Sequence, residues 1–123
     1  MPPHHHRLPI TTAYDQRYWC HHCDRTDLDR DNDLDVRTWT CSSCGHPVLV
    51  DLDDFKGNAT TVERVPARVI IRDDYVILEH TLQLCLVLKS EEADAGGGRW
   101  YLALQGQRGA PVDANRFYNR IPR

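Results

Sequence analysis

Short segments in which apolar and polar residues alternate dominate the second half of the chain. They lie at residues 60–65, 67–71, 75–78, 81–89 and 99–105. Two segments place a full set of apolar side chains on one face: Leu82, Leu84, Leu86 and Leu88 in the first, and Trp100, Leu102 and Leu104 in the second. Alternation of period two is typical of strands. Several short strands in succession predict a small, strongly bent sheet or barrel.

The two ends of the chain carry weaker patterns. Residues 1–13 hold three prolines and a run of three histidines with little apolar periodicity, so we predict a flexible tail there. Residues 112–121 are short and polar, which predicts either one helical turn or an edge strand. The turn signal Gly57-Asn58 divides the rest into a first unit at 14–56 and a second at 57–123.

Cysteine spacing adds a chemical prediction for the first unit. Cys20 and Cys23 form one pair, Cys41 and Cys44 form another, and seventeen residues separate the pairs. Two residues between paired cysteines allow one tight turn to aim both thiolates at one point, and two such turns complete a tetrahedral site for Zn²⁺. Since four protein ligands leave no open position for water or substrate, we predict one structural zinc ion per chain and no zinc catalysis.

The remaining cysteine and histidines leave this prediction unchanged. Five cysteines cannot all pair in one chain, and Cys85 lies among apolar neighbours, which favours a buried, unreactive thiol. Paired cysteines of this spacing fit a reducing compartment, so we predict a cytoplasmic protein. His21 and His22 lie inside the first cysteine turn; we expect them to point outward, with a mixed His/Cys site as the alternative.

The first unit resembles a zinc ribbon. The resemblance rests on Cys20-His-His-Cys23 and Cys41-Ser-Ser-Cys44-Gly45, with candidate strands at 18–19 and 36–40 leading into the two turns and another at 47–50 leading out. Gly45 supplies the positive φ that closes the second turn, whereas Asp24 stands where a glycine is common in the first. The region from 65 onward is similar to small SH3-like barrels. That second likeness implies a fold and no binding residues.

Charge is uneven along the chain. The chain has 15 basic and 18 acidic residues, and six aspartates fall between the two cysteine pairs. No start position in that run offers both the glycine and the final glutamate of an EF-hand loop, so we expect an exposed acidic hairpin tip. Such a tip repels phosphate backbones and favours a basic partner surface.

These patterns favour binding over catalysis. No serine, cysteine or carboxylate pair is tied to a histidine by a recognised motif, so we predict a non-enzyme with no small-molecule substrate and no membrane segment. Our first functional prediction is an adaptor or regulator that binds another protein. The alternative is nucleic-acid binding or transcription-associated work through the C-terminal half, where the contact residues would be Arg116, Phe117, Tyr118 and Arg120.

Overall fold

The computed structural model describes residues 10–93 and 97–123, and it is almost entirely β. Most of the predicted tail therefore lies outside the described residues. The strands are β1 Asp15–Trp19, β2 Leu34–Asp35, β3 Thr40–Cys41, β4 Leu49–Asp53, β5 Ala59–Pro66, β6 Tyr75–Ile77, β7 Leu84–Glu92, β8 Arg99–Leu104, β9 Ala110–Asp113 and β10 Phe117–Arg120. The predicted mainly-β class is confirmed.

Eight of these strands form one open antiparallel sheet in the order β1-β4-β5-β10-β6-β7-β8-β9. The remaining two, β2 and β3, form a separate hairpin that carries Cys41. The similarity to an SH3-like barrel stays a prediction. Among the described residues no helix is long and apolar enough to cross a membrane.

The predicted boundary between units falls in the turn that joins β4 to β5. These two strands pair over five residues, from Leu49 opposite Glu63 to Asp53 opposite Ala59. Asp54 closes the turn by accepting hydrogen bonds from the backbone N–H groups of Lys56 and Asn58. The first unit therefore supplies β1 and β4 to the same sheet that the second unit continues, while the division into two domains stays a prediction.

The C-terminal strand β10 lies in the centre of the sheet, so the prediction of a helical turn or an edge strand for residues 112–121 is wrong for Phe117–Arg120. Residues 112–113 end the edge strand β9. It pairs with β5 on one side, Phe117 opposite Pro66, and with β6 on the other, Asn119 opposite Ile77. Its polar residues Asn119 and Arg120 are buried. Residues of β5 bind these polar groups, Arg64 at Asn119 Oδ1 and Glu63 at the Arg120 guanidinium, so the strand is buried without apolar alternation in its sequence.

Strand β7 buries the face opposite to its leucines. Cys85 and Val87 are buried, whereas Leu84 is 55% exposed and Leu88 is 50% exposed. The buried pair packs in one cluster with Val65, Ile70, Val76, Leu102 and Leu104. The predicted burial of Cys85 is confirmed. The alternation located the strand, but tertiary packing chose which face is covered.

Three other segments depart from the predicted strands. Residues 81–83 lie before the start of β7, and Leu82 is buried with φ of 54°. Residues 36–39 form a turn, because Asp35 accepts hydrogen bonds from the backbone N–H groups of Arg37 and Trp39. Residues Ala67–Val69 form a 3₁₀ turn after Pro66. Trp39 has φ of 56° and is completely buried. The turn thus places its indole in the core that the cysteines share with β4, β5 and Ile77.

Candidate metal centre

The two cysteine turns have the same backbone geometry. The Cys20 N–H donates to the Arg25 carbonyl at 2.8 Å, and the Cys41 N–H donates to the His46 carbonyl at 2.8 Å, five residues along in each case. The residue after each second cysteine is left-handed, Asp24 at φ 54° and Gly45 at φ 76°. Aspartate tolerates this region better than most residues, so the first turn closes without glycine.

The four cysteine sulfurs meet at one point. All four Sγ atoms lie within 4.8 Å of one another. Cys20 Sγ lies 3.5 Å from Cys44 Sγ, and Cys23 Sγ lies 3.9 Å from Cys41 Sγ. Sulfurs at about 2.3 Å from a tetrahedral ion stand about 3.8 Å apart, so the observed separations fit a single ion of that size. Each turn contributes one buried and one half-buried cysteine.

The pKa values of three cysteines in the cluster are shifted, and not all in the same direction. Burial raises the pKa of Cys41, but the backbone N–H groups of Ser43 and Cys44 outweigh it and lower that pKa to about 7. The neighbouring Cys44 sulfur and burial raise the pKa of Cys23 to about 12, and burial raises the pKa of Cys20. Crowded thiols resist ionising together unless a cation compensates them, and a coordinating thiol is deprotonated outright.

The histidines of this region lie outside the sulfur cluster. His21, His22 and His46 are exposed, and the ligand set found among the described residues consists of the four cysteines. His22 and His46 stack with ring centroids 3.8 Å apart. The predicted outward orientation of His21 and His22 agrees with this exposure. The His22–His46 pair joins the two turns on the solvent side.

Arg64 connects the metal centre to the main sheet, a role that the sequence did not reveal. It lies on β5, is 1% exposed, and its guanidinium stands 4.4 Å from the centroid of the Trp39 ring. Two of its nitrogens donate to the Asp15 carboxylate at 2.8 and 2.7 Å, and its Nε donates to Asn119 Oδ1 at 2.8 Å. One side chain thus joins β1, β5, β10 and the turn before Cys41.

The four residues predicted to contact nucleic acid or a partner differ in how far they are exposed. Arg116 is exposed, with its guanidinium 5.1 Å from the Tyr118 ring centroid. Phe117 and Tyr118 are half-buried on the two cores. Arg120 is buried and pairs with Glu63 at 2.6 Å and with Asp74 at 3.8 Å. The structure leaves Arg116 as the accessible cation of this group.

Comparison of the chain with protein-family models, with curated proteins and with solved structures finds no match.

Proposed function

We propose that this chain is a non-enzymatic zinc-binding module that acts as an adaptor or regulator by binding another protein. The observation that carries the proposal is the convergence of four cysteine sulfurs at separations suited to one tetrahedral ion. Cysteine thiolates at this geometry favour zinc. When bound, the ion would neutralise the thiolates and cross-link the two turns.

The set of four cysteine donors supports a structural metal ion that takes no part in catalysis. Cys20, Cys23, Cys41 and Cys44 would fill all four positions of a tetrahedral ion, so none remains for a substrate or a water nucleophile. The turn ahead of Cys41 also holds Trp39 against Arg64. Holding the cysteines in place therefore also holds the contact between the Trp39 turn and Arg64 on β5. We expect metal binding and folding to be coupled.

The outer face of β6 and β7 supports a protein partner. Leu84 and Leu88 are about half exposed, and Tyr75 is also exposed on the neighbouring strand. Tyr75 pairs with Leu86 across the two strands, so these apolar side chains adjoin one another. Contiguous exposed apolar surface on a folded domain marks interaction sites.

The arginines favour a protein partner over a phosphate backbone. Arg64 and Arg120 are buried against carboxylates, and Arg123 donates to the Asp74 carboxylate at 2.9 and 3.1 Å. These three guanidiniums are compensated within the fold. The acidic segment between the cysteine pairs is mostly exposed, with Asp24, Asp27, Asp29 and Asp31 all on the surface. Nucleic acid would meet fewer free cations than the sequence suggests.

Metal analysis tests the zinc half of the proposal. We expect close to one zinc per chain in the purified protein. Cys41→Ser should lose the metal and unfold the cysteine turns, since it removes one of the four thiolates. Cys85→Ser is the matched control, because Cys85 is a buried thiol that lies outside the sulfur cluster and should leave the zinc content unchanged. A Cys41→Ser protein of wild-type stability without zinc would contradict a structural metal.

A capture experiment tests the adaptor half. Proteins recovered on the full chain from a nuclease-treated lysate should be lost with the double variant Leu84→Gln/Leu88→Gln. Phe55→Gln is the control, because Phe55 is an exposed apolar residue in the β4–β5 turn. Proteins captured equally by all three forms would argue against this surface. Retention on DNA or RNA at low salt that disappears with Arg116→Gln would instead support the nucleic-acid alternative.

A further inference from the structure

A cavity of about 330 Å³ opens between the start of β10 and the connection from β6 to β7. Its walls are mainly apolar, with Ile10, Ile77, Leu78 and Phe117 among the lining residues. This volume lies at the lower end of the range for sites that hold small ligands, about 300–1,000 Å³. Neither the metal centre nor the outer face of β6 and β7 uses this cavity.

Asn119 lines the cavity and brings an amide group with a defined orientation. The residue is 2% exposed, and its Oδ1 accepts a hydrogen bond from Arg64 Nε at 2.8 Å. A guanidinium only donates, so Asn119 must turn its oxygen toward Arg64 and its Nδ2 group away from it. Among the described residues Nδ2 finds no acceptor. The fully buried polar side-chain atom without a partner among those residues is Trp39 Nε1, so Nδ2 keeps some accessible surface at the cavity wall, where it hydrogen-bonds to water or to a ligand.

The charged residues that line the cavity are Glu79 and Arg116, and of these Arg116 is the one that attracts an anionic group. Glu79 Oε2 accepts the backbone N–H of Thr11 at 3.0 Å, and its Oε1 lies 3.6 Å from His80 Nε2. The Glu79 carboxylate is thus engaged within the fold. Arg116 lines the same cavity, is exposed, and makes no ion pair with the residues that the structure describes. Within residues 10–93 and 97–123 neither its guanidinium nor the Asn119 Nδ2 group has a hydrogen-bond acceptor, so both can donate to a ligand.

We propose that this cavity binds a carboxylate that is attached to an apolar group. The Asn119 Nδ2 group and the Arg116 guanidinium donate to the carboxylate oxygens, while Ile77, Leu78 and Phe117 contact the apolar part. Hydrogen bonds to an ionised acceptor are about twice as strong as neutral ones, which makes the acid a better ligand than its amide. A small carboxylic acid and the C-terminal residue of a peptide share this chemistry. The proposal does not depend on zinc or on the adaptor role.

Titration of the zinc-loaded full chain with paired probes tests the proposal. The small pair is hexanoate and hexanamide, and the peptide pair is N-acetyl-Ala-Ala-Leu with a free or an amidated C-terminus. Binding is followed by nuclear magnetic resonance at the side-chain amide of Asn119. We expect at least one acid to shift this signal saturably, at a concentration at least tenfold below that needed for its amide. Whichever acid binds more tightly identifies the source.

Variants separate the two donors from the rest of the fold. Asn119→Asp keeps an oxygen toward Arg64 but replaces the donor group with an acceptor, so it should abolish binding, as followed by isothermal titration calorimetry. Arg116→Gln should weaken binding about tenfold or more, and it remains informative if Asn119→Asp does not fold, because Arg116 is exposed. Arg108→Gln, at an exposed arginine that does not line the cavity, should bind like wild type. Equal binding of acid and amide, no binding of either acid, or binding unchanged by Arg116→Gln would overturn the proposal.

Discussion

Replacing the buried Arg64 with methionine tests how the metal centre is joined to the sheet. Methionine fills a similar length of core but donates no hydrogen bond, so the Asp15 carboxylate, whose side chain is 3% exposed, loses its cation. Removing one partner of a buried ion pair costs about 3–5 kcal/mol. The free energy of unfolding of a domain is about 5–15 kcal/mol. We therefore expect Arg64→Met to remove a large fraction of the stability.

The double variant Arg64→Met/Asp15→Asn separates the lost pair from general damage to the core. Asparagine removes the buried negative charge that Arg64→Met leaves uncompensated. We expect the double variant to be more stable than the sum of the two single losses implies, with a coupling energy of about 2 kcal/mol or more. Arg37→Met is the matched control, because the Arg37–Asp35 pair is exposed and such pairs contribute about 0–1 kcal/mol.

Urea denaturation followed by tryptophan fluorescence measures these differences. The chain has three tryptophans, and one of them, Trp39, lies against the guanidinium, so part of the emission reports this contact. Zinc must be saturating and constant in every sample, since a ligand of the folded state adds to the apparent stability. A loss below about 1 kcal/mol for Arg64→Met, or strictly additive losses in the double variant, would refute the view that Arg64 links the two parts through Asp15.

Two further predictions concern the second cysteine turn and the phenol of Tyr18. Gly45→Ala should lower the free energy of unfolding by about 1–2 kcal/mol, because Gly45 has φ of 76° while an added Cβ would meet no atom within 4 Å. The exposed neighbour Ser42→Ala should not change stability in the same denaturation assay, because the structure gives no hydrogen bond to its hydroxyl among the described residues. An unchanged Gly45→Ala protein would show that the turn does not need this backbone conformation. Burial and then the hydrogen bond to Asp15 raise the pKa of Tyr18 to about 12, above its value of about 10 in the unfolded chain. The stability that the neutral Tyr18 phenol contributes is therefore complete below about pH 10 and is lost as the pH rises toward 12. The absorbance difference at about 295 nm between wild type and Tyr18→Phe, which reports ionisation of this phenol, should titrate near pH 12. A midpoint near pH 10 would contradict the raised pKa.

The cysteine site was predictable because its information is local. A Cys-x-x-Cys turn needs only a few consecutive residues, and both turns show the expected left-handed residue after the second cysteine. The positions of β5, β6 and β8 also followed from alternation, since the pleat imposes period two on the side chains. The candidate strands at 18–19 and 47–50 overlap β1 and β4 only in part. The alternation did not reveal which face of β7 would be buried.

The polar interior was not predictable from local pattern. Arg64, Asn119 and Arg120 are buried, yet each looks like a surface residue in the sequence. Their burial is stable because residues distant in the chain compensate them, Asp15 for Arg64 and Glu63 for Arg120. Charged side chains are almost never fully buried unless they are paired, and a sequence without structure does not show the pair.

The sequence by itself therefore determined the mainly-β class, the spacing of the thiolates and the turns that aim them. Tertiary structure alone decided that β10 enters the centre of the sheet, that Arg64 joins the cysteine turns to it, and that Asn119 lines a cavity. The physical reason is the range of the interactions. Backbone turns and side-chain alternation act between neighbours in the chain, whereas the compensation of buried charge depends on residues that only the folded sheet brings together.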